Sequence, residues 1–383
     1  MGAAPDADDY GDQGAHTLRS VCASGSDGTM AAWPTLLGLG LGNCAALTGP
    51  PVEGCPPVGD PLASCGVMKQ KSKGKDTTTG HWELAGVVME QGFHVFPAEF
   101  PSFPPDLVIR FEDATGHRLL GNKAASGTQI IEELGPIQQS DGGLICYTSA
   151  DSVFQVAAHE QVVPIEELYR CCRSARKICD EYNIARVIAR PFEGSTGSYS
   201  RTAGRRDYSI ELPSPTMLDI LQESGVETVG IGKIGDIFGH QGLTHSLPDK
   251  GNAKCMARLK SALQQGSGVD QMIFVNLIDT DMLYGHRRDS LGYYRAIEAI
   301  DRELPDIMDL LGYEDFLIIS ADHGCDPGFR GTDHTREFVP LIFYQPNRNP
   351  VDLGIRESFT DVAATVCKLF GTTHHCGSPF LSA

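Results

Sequence analysis

The sequence predicts an α/β protein: a mostly parallel sheet covered by helices, with a smaller α/β domain inserted into it. Short apolar runs alternate with stretches whose apolar residues recur at helical spacing, which is typical of a parallel sheet. Chemically active polar side chains directly follow two of the apolar runs, as they do at the carboxyl ends of strands in such sheets. Proline-rich segments at 96–105 and 212–215 mark two crossings between the domains.

These crossings predict a core domain in two parts, 1–96 and 214–383, and a cap domain at 97–213. In the cap, we expect strands at 107–111, 144–148 and 187–192 and a helix at 165–180. In the second part of the core, we expect strands at 226–231, 272–278, 316–320 and 339–344, and helices at 293–311 and 359–370, the former despite Pro305. The segment 22–65 is rich in Gly and Pro and has no periodicity that assigns its role.

Metal-ligating side chains follow the apolar run 316–319. Asp322 and His323 come directly after it, and His334 returns eleven residues later. Because the backbone turns where a strand ends, adjacent Asp and His side chains can converge there on one cation. Oxygen with imidazole nitrogen favours zinc, manganese or iron over magnesium or calcium. Taken alone, this segment could also be a solvated loop with scattered histidines.

A second group of ligands follows the apolar run 271–278. Asp281 and His286 could bind one ion while Asp322 and His323 bind another. Such pairs, about 3.5–4 Å apart, stabilise the attacking and leaving oxygens of phosphoryl transfer. We expect Asp279 to cap a helix or a turn instead.

A candidate nucleophile lies in the threonine run 77–79, which precedes an expected helix at 82–89. Free backbone N–H groups and the helix dipole favour phosphate at such an amino end. A threonine oxygen beside a metal can take up a phosphoryl group and pass it on. An ordinary threonine-rich helix cap would look the same.

Four motifs together resemble one family: Gly-Lys-Asp-Thr-Thr-Thr-Gly-His-Trp-Glu (74–83), Asp-Met-Leu-Tyr-Gly-His-Arg-Arg-Asp (281–289), Ala-Asp-His-Gly-Cys-Asp-Pro (321–327) and Gly-Thr-Asp-His-Thr-Arg-Glu (331–337). The chain resembles the phosphopentomutases of the alkaline phosphatase superfamily from about Ala4 to Leu381. The resemblance implies an alkaline-phosphatase-like core and an isomerase that moves phosphate between C1 and C5 of ribose or deoxyribose. It further implies two Mn²⁺ ions, a phosphorylated threonine, sugar phosphates as substrates and a sugar bisphosphate as activator.

The resemblance also assigns roles by motif position. Thr77 matches the phosphorylated threonine. The family's ligands of one metal match Asp281, His286 and His334, and its ligands of the other metal match Asp322, His323 and Thr77. Asp151 matches a sugar-binding residue of the cap, and Arg190, Arg201 and Arg205 fall in its phosphate-binding stretch.

One departure from the family concerns the beginning of the chain. In the family, a strand ending in a metal-binding aspartate precedes the segment with which this sequence begins, so we expect the metal beside Thr77 to be one ligand short. The acidic residues Asp6, Asp8, Asp9 and Asp12 lie in an expected polar loop and match other family positions. The alternatives are a related metal-dependent phosphatase or phosphoglycerate mutase, which the cap motifs disfavour, an inactive binding protein that keeps the fold, and an incomplete sequence.

Composition excludes some classes of protein. A chain of 383 residues with 41% hydrophobic residues is long enough for two domains. A net charge of −18 argues against nucleic acid and anionic membranes as partners. No apolar segment approaches the roughly 18 residues of a membrane span. The twelve cysteines are scattered without a Cys-x-x-Cys pair, so we expect reduced thiols and a cytoplasmic protein.

Overall fold

The structure is a computed structural model that describes residues 1–25, 30–149 and 151–381. The chain divides into two compact units, unit 1 (Met1–Gly92 and Pro213–Ala383) and unit 2 (Phe93–Leu212). Residues 26–29 of the unassigned segment 22–65, and Ala150 beside Asp151, lie outside the described residues. No helix in the described part of the chain is long and apolar enough to cross a membrane.

The described helices are α1 (Thr17–Gly25), α2 (Pro34–Gly38), α3 (Leu41–Ala46), α4 (Thr77–Leu84), α5 (Pro105–Thr115), α6 (Gly127–Asp141), α7 (Ile165–Asp180), α8 (Met217–Glu223), α9 (Ile234–Ile237), α10 (Asn252–Gln265), α11 (Ser290–Leu310) and α12 (Thr360–Leu369). A short 3₁₀ helix spans Ala7–Tyr10, and a π-helical turn spans Thr280–Gly285.

The described strands are β1 (Ser64–Met68), β2 (Leu119–Ala124), β3 (Leu144–Thr148), β4 (Val153–His159), β5 (Arg186–Glu193), β6 (Ser200–Arg201), β7 (Arg206–Ser209), β8 (Glu227–Ile231), β9 (His245–Leu247), β10 (Gln271–Val275), β11 (Leu317–Ser320), β12 (Val339–Tyr344) and β13 (Asp352–Arg356).

The described residues of unit 1 form two sheets. One is parallel, in the order β10-β8-β9. The other has the order β11-β12-β1-β13, in which β12 runs antiparallel to both of its neighbours and β13 runs parallel to β1. The expected α/β class is confirmed, and the pairing is mixed rather than parallel throughout. Within the described residues, β10 and β11 are each the last strand of their sheet and are only half-buried along their length.

The described part of the segment 22–65 forms the short helices α2 and α3, whose apolar residues pack into a cluster of unit 1. Trp33 is fully buried in an apolar cluster of unit 1, where its ring lies 4.8 Å from that of Tyr294 on α11. Asp301 of α11 accepts hydrogen bonds from the backbone N–H groups of Thr35 and Leu36, which fixes the start of α2. Helices this short lack the repeated turns that make a periodic pattern visible, which explains why the sequence assigned no role to this segment.

Unit 2 is built on one sheet in the order β2-β3-β4-β5-β6, with β7 paired to β5. The helix expected at 165–180 is confirmed as α7. The strand expected at 107–111 is wrong, because these residues lie within α5. Pro105 stands at the first helical position, and Leu107, Phe111 and Thr115 are buried four residues apart, which is a helical rather than an alternating pattern.

A buried arginine connects three segments of unit 1. The Arg336 side chain is 1% exposed, and each of its five guanidinium N–H groups has an acceptor. Two N–H groups bind the Asp6 carboxylate at 3.1 and 2.8 Å. The other three bind the backbone carbonyls of Gln70, Ser72 and Gly74 at 2.6–2.9 Å. Residues 70–74 are therefore held in place immediately before the threonine run.

Replacing Arg336 by methionine should destabilise the protein strongly. Methionine fills a similar length but leaves three carbonyls and a carboxylate without their donor, so we expect the free energy of unfolding to fall by about 3 kcal/mol or more. Urea denaturation followed by circular dichroism measures this change.

Arg302→Met is the matched control, since Arg302 is mostly exposed and pairs on the surface with Glu298. It should change the same free energy by less than about 0.5 kcal/mol. Equal effects of the two substitutions would show that Arg336 does not hold the fold together.

Candidate metal centre

The first ligand group is assembled by a tight helical turn and a returning loop. Asp281 lies in the π-helical turn after β10, and His286 directly follows that turn. π-Turns of this kind are frequent at functional sites, and here the turn brings side chains five residues apart together. His334 comes from the segment after β11, where an isolated antiparallel bridge between Gly324 and Thr335 brings the chain back.

The three side chains converge closely. Asp281 Oδ1 lies 3.3 Å from His286 Nε2 and 3.3 Å from His334 Nε2. One donor atom from each residue lies within 4.8 Å of the other two. The rings of His286 and His334 have their centroids 4.6 Å apart. The structure therefore brings together the carboxylate and the two imidazoles that the sequence assigned to one ion.

These residues fit a divalent metal. His286 Nδ1 lies 2.6 Å from the carbonyl oxygen of Thr332, to which it donates, so its Nε2 presents a lone pair. Asp281 Oδ1 and His334 Nε2 are buried and have no hydrogen-bond partner among the described residues. Unpartnered buried polar atoms are costly, each by about 1–3 kcal/mol, and a cation between them would satisfy both.

The electrostatics also suit metal binding. Burial opposes ionisation of Asp281, but His334, His323 and His286 outweigh it and hold the pKa of this carboxyl at about 2. Burial lowers the pKa of His334, which favours the neutral imidazole. Since ligands must be deprotonated to bind, both groups are in the required form at neutral pH.

The second ligand group lies beside the first. Asp322 Oδ2 is 3.3 Å from His323 Nε2, and the ring of His323 lies 4.0 Å from that of His334. His323 Nδ1 donates to the carbonyl of Gly324 at 3.0 Å, which directs Nε2 toward Thr77 Oγ1 at 3.2 Å. The structure thus also brings together the second predicted group, Asp322, His323 and Thr77, and places it next to the first group.

The threonine run is part of a helix rather than a segment before it. α4 begins at Thr77 and ends at Leu84, so the helix expected at 82–89 is wrong in its bounds. Asp76 caps α4 by accepting a hydrogen bond from Thr79 N at 3.0 Å. A Cβ at Gly80 would lie 2.0 Å from the carbonyl oxygen of Asp322, so only glycine allows α4 to approach the ligand turn this closely.

His81 supports the second ligand group. Its Nδ1 lies 3.0 Å from Asp322 Oδ2 and 2.9 Å from the carbonyl of Thr77. Its Nε2 lies 3.3 Å from the side-chain amide of Asn276, which donates to it. The imidazole therefore orients the Asp322 carboxylate. Its second partner, Asn276, follows β10 and lies far from His81 in the sequence, so sequence spacing could not show that contact.

The other acidic residues near the centre are engaged elsewhere. Asp12 pairs with Lys75 at 3.0 Å, and Asp6 pairs with Arg336. Asp279 accepts from Asn252 N at 2.8 Å at the start of α10, which is the capping role expected for it.

The candidate sugar-binding residues all lie in unit 2. Asp151 is exposed and lies 4.0 Å from Arg186. Arg190 on β5 is half-buried, and its Nε has no hydrogen-bond partner among the described residues. Arg201 lies on β6, and Arg205 is paired with Asp207 at 2.8 Å. Both arginines act electrostatically on Arg190, so the three guanidinium groups form one positive cluster.

Comparisons with known proteins place the chain among metalloenzymes. The model of the metalloenzyme superfamily matches residues 1–374. A phosphopentomutase from Anaeromyxobacter dehalogenans is 50% identical over 383 residues, which are 100% of this chain and 94% of the relative. Phosphopentomutases from Caldanaerobacter subterraneus and Thermotoga maritima are each 46% identical, over 100% and 97% of this chain and 94% and 93% of their own length.

Likeness to solved structures is more limited. A phosphoglycerate mutase from Leishmania mexicana is 19% identical with a TM-score of 0.34, and the match covers 45% of this chain and 39% of that one.

Replacing His286 by asparagine should reduce the bound metal. The shorter amide side chain cannot supply the imidazole nitrogen that faces Asp281, so we expect the affinity for a divalent ion to fall by at least roughly 10- to 100-fold. Metal content after dialysis, measured by plasma mass spectrometry, checks this.

His245→Asn is the matched control, because His245 is an exposed imidazole of unit 1 that pairs with Glu227. Its metal content should equal that of the unsubstituted protein. An unchanged metal content in His286→Asn would exclude His286 as a ligand.

Proposed function

The chain belongs to the phosphopentomutases of the metalloenzyme superfamily, and from this membership we propose how its residues interconvert the 1-phosphates and 5-phosphates of ribose and deoxyribose. It is a metal-dependent isomerase. The roles proposed for individual residues are based on that family activity and on the geometry of the site.

The observation that carries the proposal is the position of Thr77. Its Oγ1 lies 3.2 Å from His323 Nε2, at the amino end of α4, beside both ligand groups. A hydroxyl this close to a ligand imidazole is positioned to act as a metal-activated nucleophile. The backbone N–H groups of the first turn of α4 favour a phosphoryl group on that oxygen.

In the proposed reaction, Thr77 donates one phosphoryl group to the sugar and then takes up the other. Phosphorylated Thr77 transfers its phosphoryl group to the free hydroxyl of a sugar monophosphate, which gives a sugar bisphosphate and a free threonine hydroxyl. The other phosphate of this bisphosphate then returns to Thr77 Oγ1, and the rearranged monophosphate leaves. A sugar bisphosphate would therefore also prime the unphosphorylated protein. Bound metal ions would supply charge stabilisation for the attacking and leaving oxygens.

We propose manganese at both ligand groups, because each combines a carboxylate with imidazole. One ion would take Asp281, His286 and His334, and the other Asp322, His323 and Thr77. The second group offers one carboxylate, one imidazole and a hydroxyl among the described residues. We therefore propose that it binds its ion more weakly than the first group does.

We propose that unit 2 binds the sugar phosphate. The chain carries a net charge of −18, so an anionic substrate needs local positive charge. Arg190, Arg201 and Arg205 provide such a cluster, and Asp151 offers an exposed carboxylate to sugar hydroxyls.

Replacing Thr77 by valine should abolish phosphorylation and mutase activity together. Valine keeps the branched shape but removes the only atom of this side chain that could carry the phosphoryl group. Intact-mass spectrometry after incubation with ribose 1,5-bisphosphate should show one added phosphoryl group in the unsubstituted protein and none in Thr77→Val.

Thr78→Val is the control, since Thr78 is the neighbouring hydroxyl in the same helical turn. It should retain the added mass. If Thr77→Val keeps both the modification and the turnover of ribose 5-phosphate, the nucleophile is another residue.

Replacing Asp151 by alanine should impair catalysis without affecting the metals. Loss of a charged hydrogen bond to a sugar hydroxyl should lower kcat/KM for ribose 5-phosphate by roughly 10-fold or more. Manganese content should stay the same, because Asp151 lies in unit 2 and the ligand candidates lie in unit 1.

Asp113→Ala provides a matched exposed carboxylate on α5 of unit 2 and should leave kcat/KM unchanged. Loss of metal from Asp151→Ala, or equal kinetics for the two variants, would contradict the proposed role.

A further inference from the structure

Four buried thiols lie in the apolar cluster of unit 1 that contains Trp33. They belong to Cys22, Cys44, Cys55 and Cys65, and each of these residues is at most 6% exposed. Cys44 lies in α3, and Cys65 lies in β1, the strand against which α3 packs. Neither residue belongs to the metal centre or has a role in the proposed reaction.

The Cys65 sulfur lies against the start of α3. It is 3.2 Å from the carbonyl oxygen of Leu39. A Cβ at Gly40 would lie 2.2 Å from this sulfur, so glycine at position 40 allows the thiol to reach the helix. Cys44 follows one helical turn later, where its N–H donates to the Gly40 carbonyl at 3.0 Å. Gly40 and Cys44 therefore lie on the same face of α3.

The Cys44 sulfur approaches β1 beside Cys65. It is 3.8 Å from the carbonyl oxygen of Leu341 on β12, and Leu341 is paired across the sheet with Gly66, the residue after Cys65. The thiols of Cys44 and Cys65 are hydrogen-bonded to each other. To form a disulfide bond, the two sulfurs need to close from this contact to about 2.05 Å.

The two thiols also differ in reactivity. The hydrogen bond with Cys65 lowers the pKa of the Cys44 thiol and outweighs burial, which acts in the opposite direction. The same hydrogen bond and burial raise the pKa of Cys65. Since the thiolate is the nucleophile, an oxidant should modify Cys44 first and leave Cys65 beside it to complete a bond. The pair lies near the surface, because Leu62, three residues before Cys65, is 58% exposed.

We propose that Cys44 and Cys65 form a reversible disulfide bond, a redox modification site at which hydrogen peroxide is the oxidant. Peroxide converts the Cys44 thiol to a sulfenic acid and releases one water. The Cys65 sulfur then attacks the Cys44 sulfur, and the sulfenic oxygen leaves with the Cys65 proton as a second water. The two sulfurs together lose two electrons, which the peroxide takes up.

The bond would connect α3 covalently to β1. After β1 the chain continues into residues 70–74, whose carbonyls Arg336 holds before the threonine run. A cross-link between positions 44 and 65 restricts the unfolded chain, so the oxidised protein should be more stable than the reduced protein. This inference does not depend on the proposed function.

Peptide mapping of the full-length protein tests the proposal. The protein is treated with hydrogen peroxide, its remaining thiols are blocked with N-ethylmaleimide, and it is digested without reductant. Mass spectrometry should detect a linked pair of peptides that contain Cys44 and Cys65, and dithiothreitol should separate them. The melting temperature should rise by roughly 5 °C on oxidation and return to its starting value on reduction.

Variants separate the two steps of the reaction. Cys65→Ala should accumulate a sulfenic acid on Cys44, which dimedone traps, and should show no rise in melting temperature on oxidation. Cys44→Ala should also abolish the rise. Cys255→Ala is the matched control, because Cys255 is a buried thiol on α10 of unit 1 and is 1% exposed. This variant should keep both the linked peptides and the rise.

Three results would overturn the proposal. The first is recovery of Cys44 and Cys65 as N-ethylmaleimide adducts after unfolding, without a linked peptide. The second is a bond from either residue to Cys22 or Cys55 instead. The third is an equal rise in melting temperature in Cys65→Ala, which would show that another oxidation stabilises the protein.

Discussion

The buried guanidinium of Arg336 is the interaction on which the geometry of unit 1 depends. It connects the beginning of the chain, the loop before α4 and the segment that carries His334, three parts that lie far apart in sequence. The ring of Tyr10 covers it at 4.9 Å. A charge this deeply buried is stable only when its donors are fully used, and that requirement fixes the relative positions of the segments it joins.

Arg336 helps to position the candidate metal centre through residues that are adjacent in sequence to it or to its hydrogen-bond partners. Glu337, next to Arg336, accepts hydrogen bonds from Thr17 and Thr335, and Thr335 pairs with Gly324 across the bridge that returns His334. Gly74, held by Arg336, lies three residues before Thr77. The candidate nucleophile and the candidate ligands are thus placed by a network of buried polar contacts, while Asp281 Oδ1 and His334 Nε2 have no hydrogen-bond partner among the described residues.

The same contrast distinguishes functional from structural carboxylates. Asp6, Asp12 and Asp279 have their oxygens occupied by arginine, lysine or backbone donors. Among the described residues, Asp281 Oδ1 and His334 Nε2 are two ligand-type atoms that are buried without a hydrogen-bond partner. Since folded proteins satisfy nearly all of their buried polar groups, two such atoms that lie 3.3 Å apart indicate where a cation would complete the structure.

The sequence by itself determined the α/β class, α7, six of the thirteen described strands (β3, β5, β8, β10, β11 and β12) and the residue types of the candidate metal centre, because periodicity and motif spacing depend on local neighbours. Only the tertiary structure decided that 107–111 is helical, that the threonines belong to α4 and that the residues between 17 and 46 include short covering helices. It also decided which carboxylates are already paired. Those distinctions depend on atoms that approach from distant parts of the chain, and spacing along the sequence carries no information about them.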